Sequence, residues 1–121
     1  MNRKLHNLST LLKIRLLKKR ALLKELKQEI VHIENLLYQV KENIARVSLA
    51  RHQRFLYRSC VYEYDKHLEH LQREQTSLYK QRLLLKTRLQ DSYAAIQKQV
   101  NQRKIIEKIR ASKYSTKSTN N

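Results

Sequence analysis

Glycine, proline and tryptophan are all missing from this 121-residue chain, and cysteine, methionine and phenylalanine occur once each. The first two absences exclude most architectures. Sheet proteins need tight turns every few residues, and those turns draw on Gly, Asn-Gly or Pro chemistry. The same absences remove the residues that most reliably interrupt a helix. Without Gly there is no phosphate-cradling loop, so a Walker motif and a dinucleotide fingerprint are both ruled out. The lone Cys60 has no internal disulfide partner, which points to a reducing compartment. Long apolar runs are lacking too. Lys or Arg cuts every leucine cluster, so no stretch suits a bilayer span, and no signal-peptide core follows the basic start Met1 to Lys4. A soluble, cytoplasmic protein is the expectation.

What remains is rich in Leu, Lys, Arg, Gln and Glu, all strong helix formers. The class is therefore all-α. From Leu12 the apolar positions step by four and three: Leu12, Leu16, Lys19, Leu23, Leu26, Ile30, Ile33, Leu37, Val40, Ile44, Val47. A second series runs Val61, Tyr64, Leu68, Leu71, Gln75, Leu78, Arg82, Leu85, Leu89, Ser92, Ile96. This spacing keeps one seam turned toward a partner helix. Past Ile96 the pattern slips toward Val100, Ile105, Ile106 and Ile109, as though a stutter re-phases the helix.

The two seams are self-complementary about a fold-back near Arg54. That predicts an antiparallel coiled-coil hairpin over residues 1–111: helix 1 at about 3–50, a bend at about 51–58 and helix 2 at about 59–111. Residues 112–121, Ser, Thr, Lys and Asn without periodicity, read as a disordered tail. In this register Val47 faces Val61, Val40 faces Leu68 and Leu37 faces Leu71, while Lys19, Arg82 and Gln75 oppose Leu89, Leu26 and Ile33. Long basic side chains can lay their stems on such a seam and keep the charge in water. The rival is one continuous helix pairing with a second copy. A seam this thin offsets little more than the entropy of ordering its own residues, so such a chain expects a partner.

The formal net charge of +17 is unevenly spread. Residues 1–24 hold eight basic side chains and no acid, and residues 80–112 hold nine basic and two acidic. Residues 25–79 balance at eight of each. A fold-back near Arg54 gathers the positive charge at one pole. Crowding like charges opposes the compact state, and an acidic protein surface, nucleic acid or anionic lipid would relieve it. The near-neutral bend carries Phe55, Tyr57, Tyr62 and Tyr64 among Arg51, Arg54 and Arg58, residue types enriched at protein interfaces. Tyr64 falls on the seam and reads as packing.

No catalytic or metal constellation stands out. His67 and His70 share a helix face, but zinc needs two more ligands, and Glu63 and Glu74 lie at best on roughly the same side. Cys60 and His67, two turns apart on one helix, offer neither pocket nor oxyanion donors. The chain reads as a non-enzymatic binding protein that needs no cofactor.

The start Met1-Asn2-Arg3-Lys4-Leu5-His6, then Leu12, Arg15 and Lys18-Lys19-Arg20, followed mid-chain by Tyr62-Glu63-Tyr64 through His67-Leu68, resembles one family. It is the central-stalk family of type III secretion export ATPases, the YscO-like and FliJ-like proteins. They are short, basic, antiparallel two-helix coiled coils similar to the γ-subunit stalk of rotary ATPases. The likeness covers about residues 1–110 and rests on architecture, size and charge. It implies that the paired termini enter a hexameric secretion ATPase and promote its assembly and ATP hydrolysis. Arg3, Lys4, Lys13, Arg15, Lys18, Arg20, Arg103, Lys104 and Lys108 would then face that ring. The bend, with Arg51, Arg54, Phe55, Tyr57 and Arg58, would reach the export-gate protein. Members of the family also bind secretion chaperones. The chain is shorter than the flagellar members, with a more basic start, which leans toward the virulence-type branch. The implied location is the cytoplasmic base of a secretion apparatus.

Two other readings stay open. A basic coiled coil could bind nucleic acid through its phosphates, although the aromatics lie apart from the lysines. Residues 5–26, rich in Leu and Lys, have the character of a membrane-surface helix.

Overall fold

The structure, a computed structural model, describes residues 2–54 and 58–119. Two helices account for nearly all of them: α1 spans Asn2–Gln53 and α2 spans Arg58–Thr119. No strand occurs among the described residues. Fifty-two and sixty-two residues of unbroken helix are what a chain without Gly or Pro permits, once nucleation has been overcome. The protein is all-α, a two-helix antiparallel coiled-coil hairpin.

It divides into two compact units, Met1–Leu26 with Arg88–Asn121 and Lys27–Thr87. Each contains a stretch of α1 and a stretch of α2. In the first unit, Ser9 Oγ donates to Glu107 Oε1 at 3.1 Å. In the second, Arg51 Nε donates to Asp65 Oδ1 at 2.5 Å. The paired numbers sum to 116 in both cases, so within each unit the helices run in opposite directions.

Burial follows the heptad closely. On α1, Leu12, Leu16, Leu26, Ile30, Ile33, Leu37 and Val40 are buried. Lys19, Leu23, Ile44 and Val47 are half-buried between and beyond them. On α2, Leu71, Leu78 and Leu85 are buried, and Val61, Tyr64, Leu68, Gln75, Arg82, Leu89, Ser92 and Ile96 are half-buried. Every position of the two predicted seams is thus covered. None of the described side chains falls below 2% exposure. The core is a single file of knobs, with solvent close on both sides.

Two expectations need correction. The first is register. The fold-back predicted near Arg54 pairs positions whose numbers sum to 108, whereas the observed contacts place the layers near 115. Val40 is therefore level with Gln75 rather than Leu68, Leu37 with Leu78 rather than Leu71, and Lys19 with Ile96 rather than Leu89. Arg82 comes level with Ile33 and not Leu26. A slip of one heptad returns every a and d position to the seam, so apolar spacing fits both registers equally well. The contacts between the helices decide between them: Ser9 with Glu107 and Arg51 with Asp65 both fit the longer register.

The second correction concerns the stutter. The four-three spacing continues past Ile96 through Gln99, Arg103, Ile106 and Arg110, all half-buried. Ile105 and Ile109, predicted on the seam, are 58% and 42% exposed, while Val100 is half-buried. α1 likewise extends its seam outward through Leu5 and the buried Ser9. Sequence periodicity followed the isoleucines. The helix kept its phase and left polar residues inside. Helical backbone of α2 runs on to Thr119, within the expected tail. Ser and Thr are only slightly poorer helix formers than their neighbours, and extending an existing helix needs no new nucleus. Asn120 and Asn121, also assigned to the tail, lie outside the described residues.

At the end of α1, the Arg54 N–H is shared between Ala50 O (3.1 Å) and Arg51 O (3.3 Å). This bifurcated closure is common at helix termini. No described residue adopts positive φ, so α1 reaches Arg54 without a left-handed cap. Arg51 and His52 lie in the last turn, where cations complement the exposed carbonyls.

Oxidative crosslinking tests the register. In a Cys60→Ser background, Val40→Cys with Gln75→Cys should form an intramolecular disulfide readily, and Val40→Cys with Leu68→Cys should not. The opposite pattern would restore the shorter register.

Candidate interaction surfaces

The two units differ sharply in charge. Met1–Leu26 and Arg88–Asn121 together hold 16 of the 27 Lys and Arg residues but only three of the ten acids, Glu25, Asp91 and Glu107. Lys27–Thr87 holds the other 11 and seven, so the balances are +13 and +4. Charges predicted to gather from the two chain ends therefore do share one packed unit.

The residues expected to face an ATPase ring are placed as follows. Arg3, Lys4, Lys13, Arg15, Lys18 and Arg20 of α1 are exposed, as are Lys104 and Lys108 of α2. They spread around the helix pair rather than along one stripe, since their heptad positions include b, c, e, f and g. Arg103 is different. It occupies a seam position, half-buried, with Nε 3.9 Å from Glu107 Oε1. Glu107 also accepts the Ser9 hydroxyl bond, so one carboxylate serves a seam residue on each helix. The first turn of α1 contains Arg3 and Lys4 and no acid. Cations there oppose the positive end of the helix dipole, at roughly 0.3–1 kcal/mol each.

The seam in this unit is unusually polar. Ser9 and Lys19 on α1 and Ser92, Gln99, Arg103 and Arg110 on α2 occupy a or d positions. Gln99 Oε1 is buried without a hydrogen-bond partner, level with Leu16 in the observed register. Large apolar side chains meanwhile lie outside, including Leu8, Leu11, Leu17, Leu22, Ile105 and Ile109. Sequence reasoning did not single out this exposed set as a surface. A heptad plot marking apolar residues at b, c and g would have found it.

Around the bend, Arg51 is half-buried and committed to Asp65. Both side chains stay substantially solvated, which limits that pair to at most about 1 kcal/mol. Arg54 is exposed. Phe55 and Tyr57 lie outside the described residues, and for Arg58 only the backbone, as the first residue of α2, is described. Tyr64 is half-buried on the seam as expected. Tyr62 points outward with Lys66 Nζ 4.9 Å from its ring centre. Exposed aromatics extend beyond the bend. Tyr79 has Arg82 Cζ 5.1 Å from its ring centre. A hydrogen bond to Glu42, aided by that carboxylate's charge, holds the Tyr38 phenol above its ordinary pKa.

His67 and His70 are both exposed, and no three of His, Cys, Asp and Glu gather to hold a metal among the described residues. Among the described residues, no helix is long and apolar enough to cross a membrane. In comparisons with known proteins, no family model, no curated protein and no solved structure matches the chain.

Two outcomes follow for stability. Gln99→Leu should raise the thermal midpoint, gaining about 1 kcal/mol by removing a buried unsatisfied acceptor. A fall in the circular-dichroism melting temperature would mean that the amide is satisfied in solution. Raising NaCl from about 0.01 M to about 0.5 M should also increase the midpoint, because salt screens repulsion among the 16 cations of the basic unit. A midpoint that falls over this range would show that attractive pairs dominate.

Proposed function

We propose that this chain is the non-catalytic central stalk of a type III secretion export ATPase. In this reading the start of α1 and the end of α2 enter the ATPase hexamer, promoting its assembly and ATP hydrolysis, and the bend couples the ring to the export gate. The protein would act at the cytoplasmic base of the secretion apparatus, in the virulence-type branch. The observation that carries the reading is the charge division: +13 resides in the unit that packs the two helix ends together. A ring lined with acids would stabilise that unit where the chain alone pays in self-repulsion. The outward display of Arg3, Lys4, Lys13, Arg15, Lys18, Arg20, Lys104 and Lys108 also supports it, as does the unfavourable dipole setting of Arg3 and Lys4.

Arg103 is better read as structural, since it sits in the seam beside Glu107. Among the residues expected at the export gate whose side chains are described, Arg54 is exposed, whereas Arg51 is already held by Asp65. Phosphate binding is the competing use of the same charge, and it predicts a steep salt dependence without sequence preference.

The decisive variant is Arg15→Glu/Lys18→Glu/Arg20→Glu. It should abolish stimulation of a purified export ATPase while far-ultraviolet circular dichroism stays unchanged. Full stimulation by this variant would remove the assignment. Tight, salt-sensitive binding of DNA or RNA by the native chain, lost in the variant while stimulation was never present, would favour the nucleic-acid reading.

A further inference from the structure

The unit formed by Met1–Leu26 and Arg88–Asn121 is built partly inside out. Its seam contains Ser9, Lys19, Gln99, Arg103 and Arg110, while leucines and isoleucines lie in solvent. In heptad terms, Leu8 and Leu22 are at g and Leu11 at c on α1. On α2, Ala95 and Ile109 are at g and Ile105 at c. In an antiparallel pair the g edges of both helices border the same groove, and c positions flank them. These six residues therefore share one side of the helix pair. At the observed register Leu8 lies near the level of Ile109, Leu11 near Ile105 and Leu22 near Ala95. Part of this side is already a groove of about 390 Å³, whose walls include Leu22 and Leu26 from α1 and Arg88, Asp91 and Ala95 from α2. Leu11 and Ile105 are 44% and 58% exposed.

We propose that this groove docks an amphipathic helix from another protein, apolar along one face and acidic along its flanks. The shape fits, because a furrow between two antiparallel helices accepts a third helix by the packing that joined the first two. The charge selects the occupant. Lys4, Arg15, Lys18, Arg88 and Lys98 occupy c and g positions along this side, against Glu25 and Asp91. A second copy of the chain would bring another 16 cations with only three acids. An acidic helix would instead cover the apolar strip and neutralise its rim. The pattern also accounts for the weak seam, since the apolar surface that this unit withholds from its own pairing is what a partner helix would bury. The inference does not require an ATPase, although Arg15 and Lys18 belong to both readings.

The test uses the full chain and a fluorescein-labelled three-heptad peptide with Leu along one face and Glu on both flanks, followed by anisotropy. Saturable binding is expected, weakened about ten-fold or more by Leu11→Gln/Ile105→Gln. Leu17→Gln, at a b position on the other side, should leave affinity within about two-fold. A scrambled peptide of the same composition should bind about ten-fold more weakly or worse. Circular dichroism checks each variant, and Leu22→Gln replaces the double variant if that one loses helicity. Equal losses from Leu17→Gln, or equal binding of the scrambled peptide, would reduce the effect to bulk charge and overturn the proposal. So would phosphatidylserine vesicles that bind through Leu11 and Ile105 when the peptide does not, or a dimer in sedimentation that the same substitutions dissociate. ATPase stimulation is not a readout, so failure here is distinguishable from failure of the stalk assignment.

Discussion

One file of side chains between α1 and α2 holds this protein together, and nearly everything else follows from how thin that file is. The seam residues are shielded from water by little more than the stems of their neighbours, and none of those described is wholly buried. In Lys27–Thr87 the file is dominated by Ile30, Ile33, Leu37, Val40, Leu71, Leu78 and Leu85, all buried. In the other unit it is interrupted by Ser9, Lys19, Gln99, Arg103 and Arg110. Burial of apolar surface is the main favourable term in folding. The two units are therefore held with different strength by the same pair of helices.

The weaker seam coincides with the greater charge. Sixteen cations and three acids share that unit, and two of the cations oppose the dipole at the start of α1. Polar residues inside, apolar residues outside and uncompensated charge are conflicts that a self-sufficient fold avoids. They concentrate where a sequence also serves binding. On the proposals above, an acidic protein partner would resolve two of them, by neutralising the cations and covering the leucines. The stalk proposal and the docked-helix proposal draw on this one imbalance, the first through its charge and the second through its apolar groove.

Much of this was legible beforehand. The absence of Gly and Pro excluded sheets and allowed helices of this length. The four-three spacing from Leu12 to Val47 and from Val61 to Ile96 identified the residues that the structure covers. The concentration of Lys and Arg toward both chain ends, joined with the fold-back, located the basic unit. Less legible was the course of the seam beyond Ile96. There the apolar residues Ile105 and Ile109 leave the heptad, and polar Gln99 and Arg103 keep to it. Periodicity methods follow hydrophobicity, so they track the wrong residues wherever a helix holds its phase against its own apolar pattern. The Ser9–Glu107 bond was invisible for a related reason: it joins residues 98 positions apart through polar atoms that carry no periodic signal.

The amino-acid sequence by itself determined the class, the pair of seams and the uneven charge, because composition and period act locally along a helix. Only the packed structure decided the register. A heptad repeat superposes on itself after seven residues, so either alignment offers the same types of position to the partner helix. The Ser9–Glu107 and Arg51–Asp65 contacts mark the alignment adopted, and the second lies close beside the turn between Gln53 and Arg58. Which leucines and isoleucines face water was decided by the phase the packed helices kept, because positions off a and d stay outside in either alignment.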